Sequence, residues 1–372
     1  SPVMDATLLA IEEINNSGGL LGRELVPIIR NGYSTEIKFK EAAEELITVE
    51  NVDVVFGGWT SASRKSMLPV FEKYDNLLFY PVQFEGLETS PNIIYTGAAP
   101  NQQIIPAVNW AYDNLGTRFY LVGSDYVFPK SANEIMKNRI KELGGEIIGE
   151  KYRILGDTNF NDIIDDISKK QPDVILNTIN GDGNLFFFKT LREHGITSKD
   201  IPTISFSVSE STISHLGTNY MTGDYASWNY FQSIDSIDND NFVSHFKNKF
   251  GQNRTINDPM EAAYFGVYLY AKAVHIAGTV DIHDVKKTIK GLTLVAPEGI
   301  IGIDPENHYT AKTVRIGKIL SNGQFQIVHS SERAILPEPF PNSKSEKEWT
   351  VFLNNLYDGW GGHWSNMKND ED

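Results

Sequence analysis

A regular alternation of short apolar runs with amphipathic stretches constrains this chain more than any other feature. ELVPIIRNG (24–32), VDVVFG (52–57), LLFYP (77–81) and IIYTG (93–97) read as strands. EIKFKEAAEELITVEN (36–51), SRKSMLPVFEKYD (63–75) and NQQIIPAVNWAYDN (101–114) read as the helices beside them. The alternation restarts at RFYLVGSD (118–125), FPKSANEIMKNRIKELGG (128–145), EIIGEKYRI (146–154) and NFNDIIDDISKKQ (159–171). It continues through PDVILNTI (172–179), NLFFFKTLREHG (184–195) and PTISFS (202–207). Strands this short, apolar on both faces and spaced by helices, build parallel sheets covered on two sides. The expected class is α/β: two doubly wound parallel-sheet lobes, divided near residue 118, with repeated architecture but no repeated sequence.

At 372 residues the chain is longer than one ordinary core organises. PMEAAYFGVYLYAKAVHIAG (259–278) is its longest predicted helix, apolar nearly all round and expected to be buried, with His275 the most buried histidine. A Gly-punctuated β segment spans 298–330, where KTVRIGKI and QFQIVHSS flank the hairpin signal SNGQ (321–324). A Pro-rich tail then leads through a short helix, SEKEWTVFLNNLY, to GWGGHW, and reads as a strap against the body. The first element, DATLLAIEEIN, is a helix, so a strand and any targeting signal are expected to precede Ser1.

Lys and Arg number 33 against 48 Asp and Glu, a net charge of −15 with no basic cluster, so no nucleic-acid partner is expected. No apolar run approaches the roughly 18–20 residues that a membrane helix needs. The absence of cysteine removes disulfides, thiolate metal sites and a cysteine nucleophile, and it suits an oxidising compartment. P-loop, GxGxxG, GxSxG and HExxH patterns are missing. The eight histidines are scattered without metal-ligand spacing. DSIDNDN (235–241) carries calcium-loop carboxylates without the Gly and Glu such a loop requires, and reads as a solvated turn before a helix NFVSHFKNKFG. Neither catalysis, nor a metal, nor a cofactor is expected.

Polar and aromatic residues gather instead where predicted strands end, the position at which open parallel sheets place ligands. Trp59, Thr60 and Ser61 follow one strand; 80–85, 123–126, 180–184 and 205–210 follow others. Each has an ordinary reading alone, Trp59 as a core aromatic and Asp182 as a helix cap. Together, shared by two lobes, they suit a small enclosed ligand. No Arg lies at these loop cores, which favours a neutral solute that both donates and accepts hydrogen bonds.

The runs GGWTSASRKSMLPVFE, LLFYPVQFEGLETSPNIIYTGAAPNQQ, FYLVGSDYVFPK, NTINGDGN, ASWNYFQS, DPMEAAYFGVYL and APEGIIGIDPENHYTAKTVRIGKI closely resemble the urea-binding proteins of bacterial urea ABC transporters. Those belong to the type I periplasmic-binding family, with the short-chain-amide and branched-chain amino-acid binders. The resemblance spans nearly the whole chain, the WGGHW tail included. It implies a type I periplasmic-binding fold with a ligand cleft between two lobes joined by three crossovers. The first lobe is expected at 1–118 plus 253–305, the second at 119–252 plus 306–336, and a C-terminal extension at 337–372. Urea is the implied ligand, held by Ser61, Tyr80 and Tyr126. Trp59 would form an aromatic wall, Gln83 would supply selectivity, and Asp182 would accept from urea N–H groups. Glu210, Trp228 and Tyr230 are further candidates on the second lobe. The resemblance also implies an ABC transporter permease as partner and a periplasmic or extracellular location, with a signal peptide or lipid-anchored Cys ahead of Ser1. A short-chain amide binder, or an amide or urea sensor domain regulating a partner, is the alternative.

Overall fold

The computed structural model describes residues 1–367. In chain order it begins with α1 (Pro2–Asn16), α2 (Glu36–Thr48), β1 (Val55–Phe56), α3 (Ser61–Tyr74), β2 (Leu78–Tyr80), β3 (Ile93–Tyr95), α4 (Ile104–Asn114) and β4 (Arg118–Ser124). Next come α5 (Val127–Leu143), β5 (Glu146–Arg153), α6 (Asn161–Lys170), β6 (Val174–Thr178), α7 (Gly183–Glu193), β7 (Thr203–Ser205), α8 (Glu210–Leu216) and β8 (Tyr225–Trp228). Then follow α9 (Ile237–Phe250), α10 (Asp258–Ala277), α11 (Ile282–Ile289), β9 (Thr293–Ala296), β10 (Gly299–Ile303) and β11 (Thr310–Ala311). β12 (Arg315–Ile319), β13 (Phe325–Ser330) and α12 (Glu346–Gly359) complete the order. None of the described helices is long and apolar enough to cross a membrane.

The chain divides into two compact units. One holds residues 1–99, 234–313 and 333–339; the other holds 100–233, 314–332 and the chain from Phe340 onward. The backbone changes unit at 99/100, 233/234 and 313/314, and twice more around 333–339. The expected boundaries therefore shift. α4 packs against α5 and belongs to the second unit, whereas α9 contacts α1 and belongs to the first.

In the first unit β1, β2 and β3 form a parallel sheet in sequential order, while β9, β10 and β11 form a separate antiparallel one. Phe265, Leu269 and Ala273 of α10 join Phe79, Ile94 and Ile301 in one core cluster, so the nearly all-apolar helix is buried as its sequence requires. His275 is the exception: it sits at the exposed end of α10. Residues 24–32 form no strand. Val26 and Ile29 are 74% and 51% exposed. A strand needs a neighbour, and β1 pairs only with β2. Pro27 lacks an N–H, and the backbone of Leu25 is instead tied to the Asn15 side chain. The stretch 235–241 is more than a turn: Ser236 caps α9 by accepting from Asn239 N–H, and Asp238 and Asp240 occupy its first turn, favoured by the helix dipole.

The second unit is built on one seven-stranded sheet ordered β13-β12-β8-β7-β6-β4-β5. β5 through β8 run parallel, and the β12–β13 hairpin adds antiparallel at one edge. Gly323, at φ 79°, makes the turn that SNGQ announces. From β4 the chain winds first to β5, then crosses to β6 and on to β7 and β8. The order reverses between β4 and β6, which is the topological switch point of this sheet.

Candidate functional site

The second unit carries five of the sequence-predicted residues, and all stand at the same end of its parallel strands. Tyr126 follows β4, Asp182 follows β6, Glu210 follows β7, and Trp228 and Tyr230 end or follow β8. Tyr126 and Asp182 therefore flank the switch point, where such sheets bind ligands. A buried polar lattice fixes the loop bearing Asp182. Asn177 Nδ2 donates to Asn184 Oδ1 at 2.9 Å and to Ser205 Oγ at 3.1 Å, and Asn184 Nδ2 donates to Ile179 carbonyl at 2.9 Å. Asn180 N–H donates to Ser124 Oγ at 3.0 Å, joining this loop to the one ahead of Tyr126. Asp182 precedes α7 in the cap position, yet its side chain caps nothing and is 79% exposed, 3.9 Å from His215. The ordinary reading as a helix cap does not hold, and its carboxylate is exposed. Tyr126 is 3% exposed. Glu210 is buried and accepts from Gln232 N–H at 2.8 Å. Trp228 lies in the core of this unit and gives its indole N–H to Val208 carbonyl at 2.8 Å, which makes it a packing residue first. Tyr230 is fully buried.

The first unit carries Trp59, Ser61, Tyr80 and Gln83 at the equivalent ends of β1 and β2. Gly57 and Gly58 turn the chain here at φ 138° and 88°, values L-residues rarely adopt. A Cβ on Gly58 would lie 3.1 Å from the Tyr80 ring, so the loop also needs the missing side chain to approach β2. Thr60 caps α3 by accepting from Ser63 N–H. Trp59 is 46% exposed. Tyr80 is wholly buried and donates its hydroxyl to Trp59 carbonyl at 2.7 Å. Ser61 donates to Glu85 Oε2 at 2.5 Å and accepts from Arg64 at 3.1 Å. Gln83 is buried, at 6% exposure.

Beneath these residues lies an ionic cluster that the sequence did not disclose. Arg64 pairs with Glu85 at 2.8 Å and with Glu88 at 2.7 Å, and Lys65 pairs with Glu88 at 2.7 Å. The guanidinium also stacks over the rings of Phe84 and Tyr80, 4.4 and 5.0 Å from their centroids. Tyr95 donates to Glu88 Oε1 at 3.1 Å and Tyr309 to Glu88 carbonyl at 2.5 Å. Burial works to raise the Glu88 pKa, but the Arg64 and Lys65 charges outweigh it and hold it at about 2. Burial raises the Tyr80 and Tyr95 hydroxyls well above their ordinary range, so both keep their protons. Two cations meet two carboxylates, and the loop rests on a neutral base. Among the described residues no group of acidic or histidine side chains is arranged to hold a metal.

Two parallel-sheet units that gather polar and aromatic groups at their strand ends define a solute-binding protein. The model of the periplasmic binding protein domain matches residues 1–346, and the chain belongs to that family, one of binding proteins and not of enzymes. It is 23% identical over 286 residues to a Leu/Ile/Val-binding protein homolog of Brucella melitensis, covering 75% of this chain and 73% of that one. A limonene hydroxylase of Geobacillus stearothermophilus is 38% identical over 128 residues, but the match spans only 33% of this chain and 23% of that protein. Among solved structures, an ABC-transporter solute-binding protein of Rhodopseudomonas palustris in complex with 3,4-dihydroxybenzoic acid superposes with a TM-score of 0.82 at 21% identity, over 90% of this chain and 93% of that one. A leucine-binding protein of Thermotoga maritima superposes with a TM-score of 0.79 at 20% identity, over 88% and 93%.

Proposed function

We propose that this chain is the extracytoplasmic solute-binding component of an ABC transporter and that its solute is urea. The observation that carries the choice of solute is the Ser61–Tyr80 loop. Both hydroxyl protons are committed inside the protein, so toward a solute these residues present oxygen. Its nearby cations, Arg64 and Lys65, are buried and matched by Glu85 and Glu88. Acceptors over a neutral base suit an uncharged molecule rich in N–H groups, and they suit a carboxylate poorly. The exposed carboxylate of Asp182 adds a further acceptor. Urea has two NH₂ groups and one carbonyl. Ser61, Tyr80 and Asp182 accept from the former, and Gln83 and Tyr126 serve the latter.

A permease that reads the occupied form receives the solute. Binding favours the occupied conformation only to the extent that urea has higher affinity for it than for the empty one. A primary amide offers one NH₂ group where urea offers two, so a short-chain amide binder is the competing assignment. A thermal-shift panel of urea, acetamide, leucine and 4-hydroxybenzoate tests the proposal, because a ligand that binds only the folded chain raises its melting temperature. Urea at low millimolar concentration is expected to give the largest rise. A rise with acetamide, leucine or 4-hydroxybenzoate and none with urea would overturn the assignment.

A further inference from the structure

The loop that presents Tyr126 is fastened by the far end of the chain. Tyr126 holds the cap position of α5, and no side-chain bond caps that helix. The first amides of a helix have no partner within it. Here Val127 N–H donates to Trp364 carbonyl at 2.9 Å, and Asn366 N–H donates to Asp125 carbonyl at 3.0 Å. Tyr126 and Ser365 thereby face each other in an antiparallel bridge. Asn366 Nδ2 adds a bond of 2.7 Å to Asp125 Oδ2. On its other side Asp125 N–H donates to Arg153 carbonyl at 2.6 Å, so residues 125–127 lie between the end of β5 and the tail.

The tail is built to reach this place. Ser345 and Glu348 form a reciprocal capping box that starts α12. Trp349 is fully buried and donates its indole N–H to Pro341 carbonyl at 2.8 Å. Lys344 pairs with Glu134 of α5 at 2.7 Å. After α12 the chain reverses through Gly361 and Gly362, at φ 67° and 86°, and the Trp364 ring packs tilted against Tyr357, their centroids 4.7 Å apart. The extension is also attached through Lys344 and α12, and the bonds from 364–366 fall on the three residues centred on Tyr126.

We infer that residues 364–366 are a positioning element of the solute site: they cap α5 from outside and set the direction in which Tyr126 is presented. The inference rests on the reading of Tyr126 as a solute contact. Without the tail, Val127 N–H and Asp125 carbonyl return to water and the loop gains freedom that solute must remove on binding.

The test compares the full chain with one ending after Gly359, by calorimetric titration and by hydrogen exchange. The shortened chain is expected to keep its helical circular dichroism and to bind urea roughly tenfold more weakly, the effect of ordering about one residue. Asn366→Ala removes only the side-chain bond to Asp125. It is expected to weaken binding about threefold while leaving the helical circular dichroism of the unliganded chain unchanged. In the full chain, urea should slow amide exchange in 364–366 as well as in 125–127, because coupling between two positions is reciprocal. A tail that is only structural would show no such protection. Equal affinity of the full and shortened chains, or protection of 125–127 alone, overturns the inference and leaves the functional reading intact. A full chain that binds no member of the solute panel overturns both.

Discussion

Replacing Arg64 with alanine removes the cation on which two buried carboxylates depend. Glu85 is fully buried, and its ion pair is the 2.8 Å contact to Arg64; Glu88 keeps Lys65 at 2.7 Å but loses its own 2.7 Å contact to the guanidinium. Deleting one partner of a buried pair costs about 3–5 kcal/mol, because the remaining charge is left without solvent or counterion. Lost stacking over Phe84 and the vacated volume act in the same direction. The expected loss is a large share of the roughly 5–15 kcal/mol that holds a native protein together. Equilibrium unfolding in guanidinium chloride at pH 7, followed by circular dichroism, measures it; urea is avoided because it is the proposed ligand. Arg64→Lys retains the charge without the fork and should lose less. A loss within the ~0.5 kcal/mol typical of surface substitutions would refute the account of this cluster.

Two pH profiles follow from the buried charges. Glu88 is held near 2, below its ordinary 4.5, so the stability it contributes is present above pH 4.5 and lost as pH falls toward 2. Glu88→Gln should flatten that acid limb, as unfolding curves at pH 5 and pH 3 would show. Glu261 is buried on α10 and faces Glu298, Asp258 and Lys312; burial first, and then the Glu298 charge, raises its carboxyl well above 4.5. The folded chain therefore keeps a proton there, and this contribution is present below pH 4.5 and declines as pH rises. Glu261→Gln mimics the protonated form and should stabilise the chain more at pH 8 than at pH 5; an equal effect at both would contradict the assignment. Asp182→Asn should weaken urea binding by roughly 1.5–3 kcal/mol. Because its side chain caps nothing, thermal stability should not change, and unaltered affinity would remove Asp182 from the site.

The sheet of the second unit was largely legible in the sequence. RFYLVGSD, PDVILNTI and PTISFS are short apolar runs separated by helices, and each became a parallel strand. Strand ends likewise pointed to Tyr126 and Asp182, since parallel strands share one direction and their trailing loops share one end. Residues 24–32 had the composition of a strand, but a strand forms only against a partner, which composition does not report. α11 was overlooked although Asp281 caps it, accepting from His283 and Asp284 N–H. Trp228 is a candidate through the family resemblance, and only the Val208 bond shows that its polar edge is already committed. Sequence alone gives no sign that Arg64 and Lys65 are buried; their burial goes with carboxylates 21 to 24 residues away that pair with them. Local pattern gives elements and loops, whereas buried charge is a property of the assembled fold.

Calorimetric titration of the purified chain with urea tests the central claim most directly. The account predicts saturable heat with one urea per chain, weakened by Asp182→Asn, and little or no heat with leucine or 4-hydroxybenzoate. Saturable heat with either carboxylate and none with urea would contradict it.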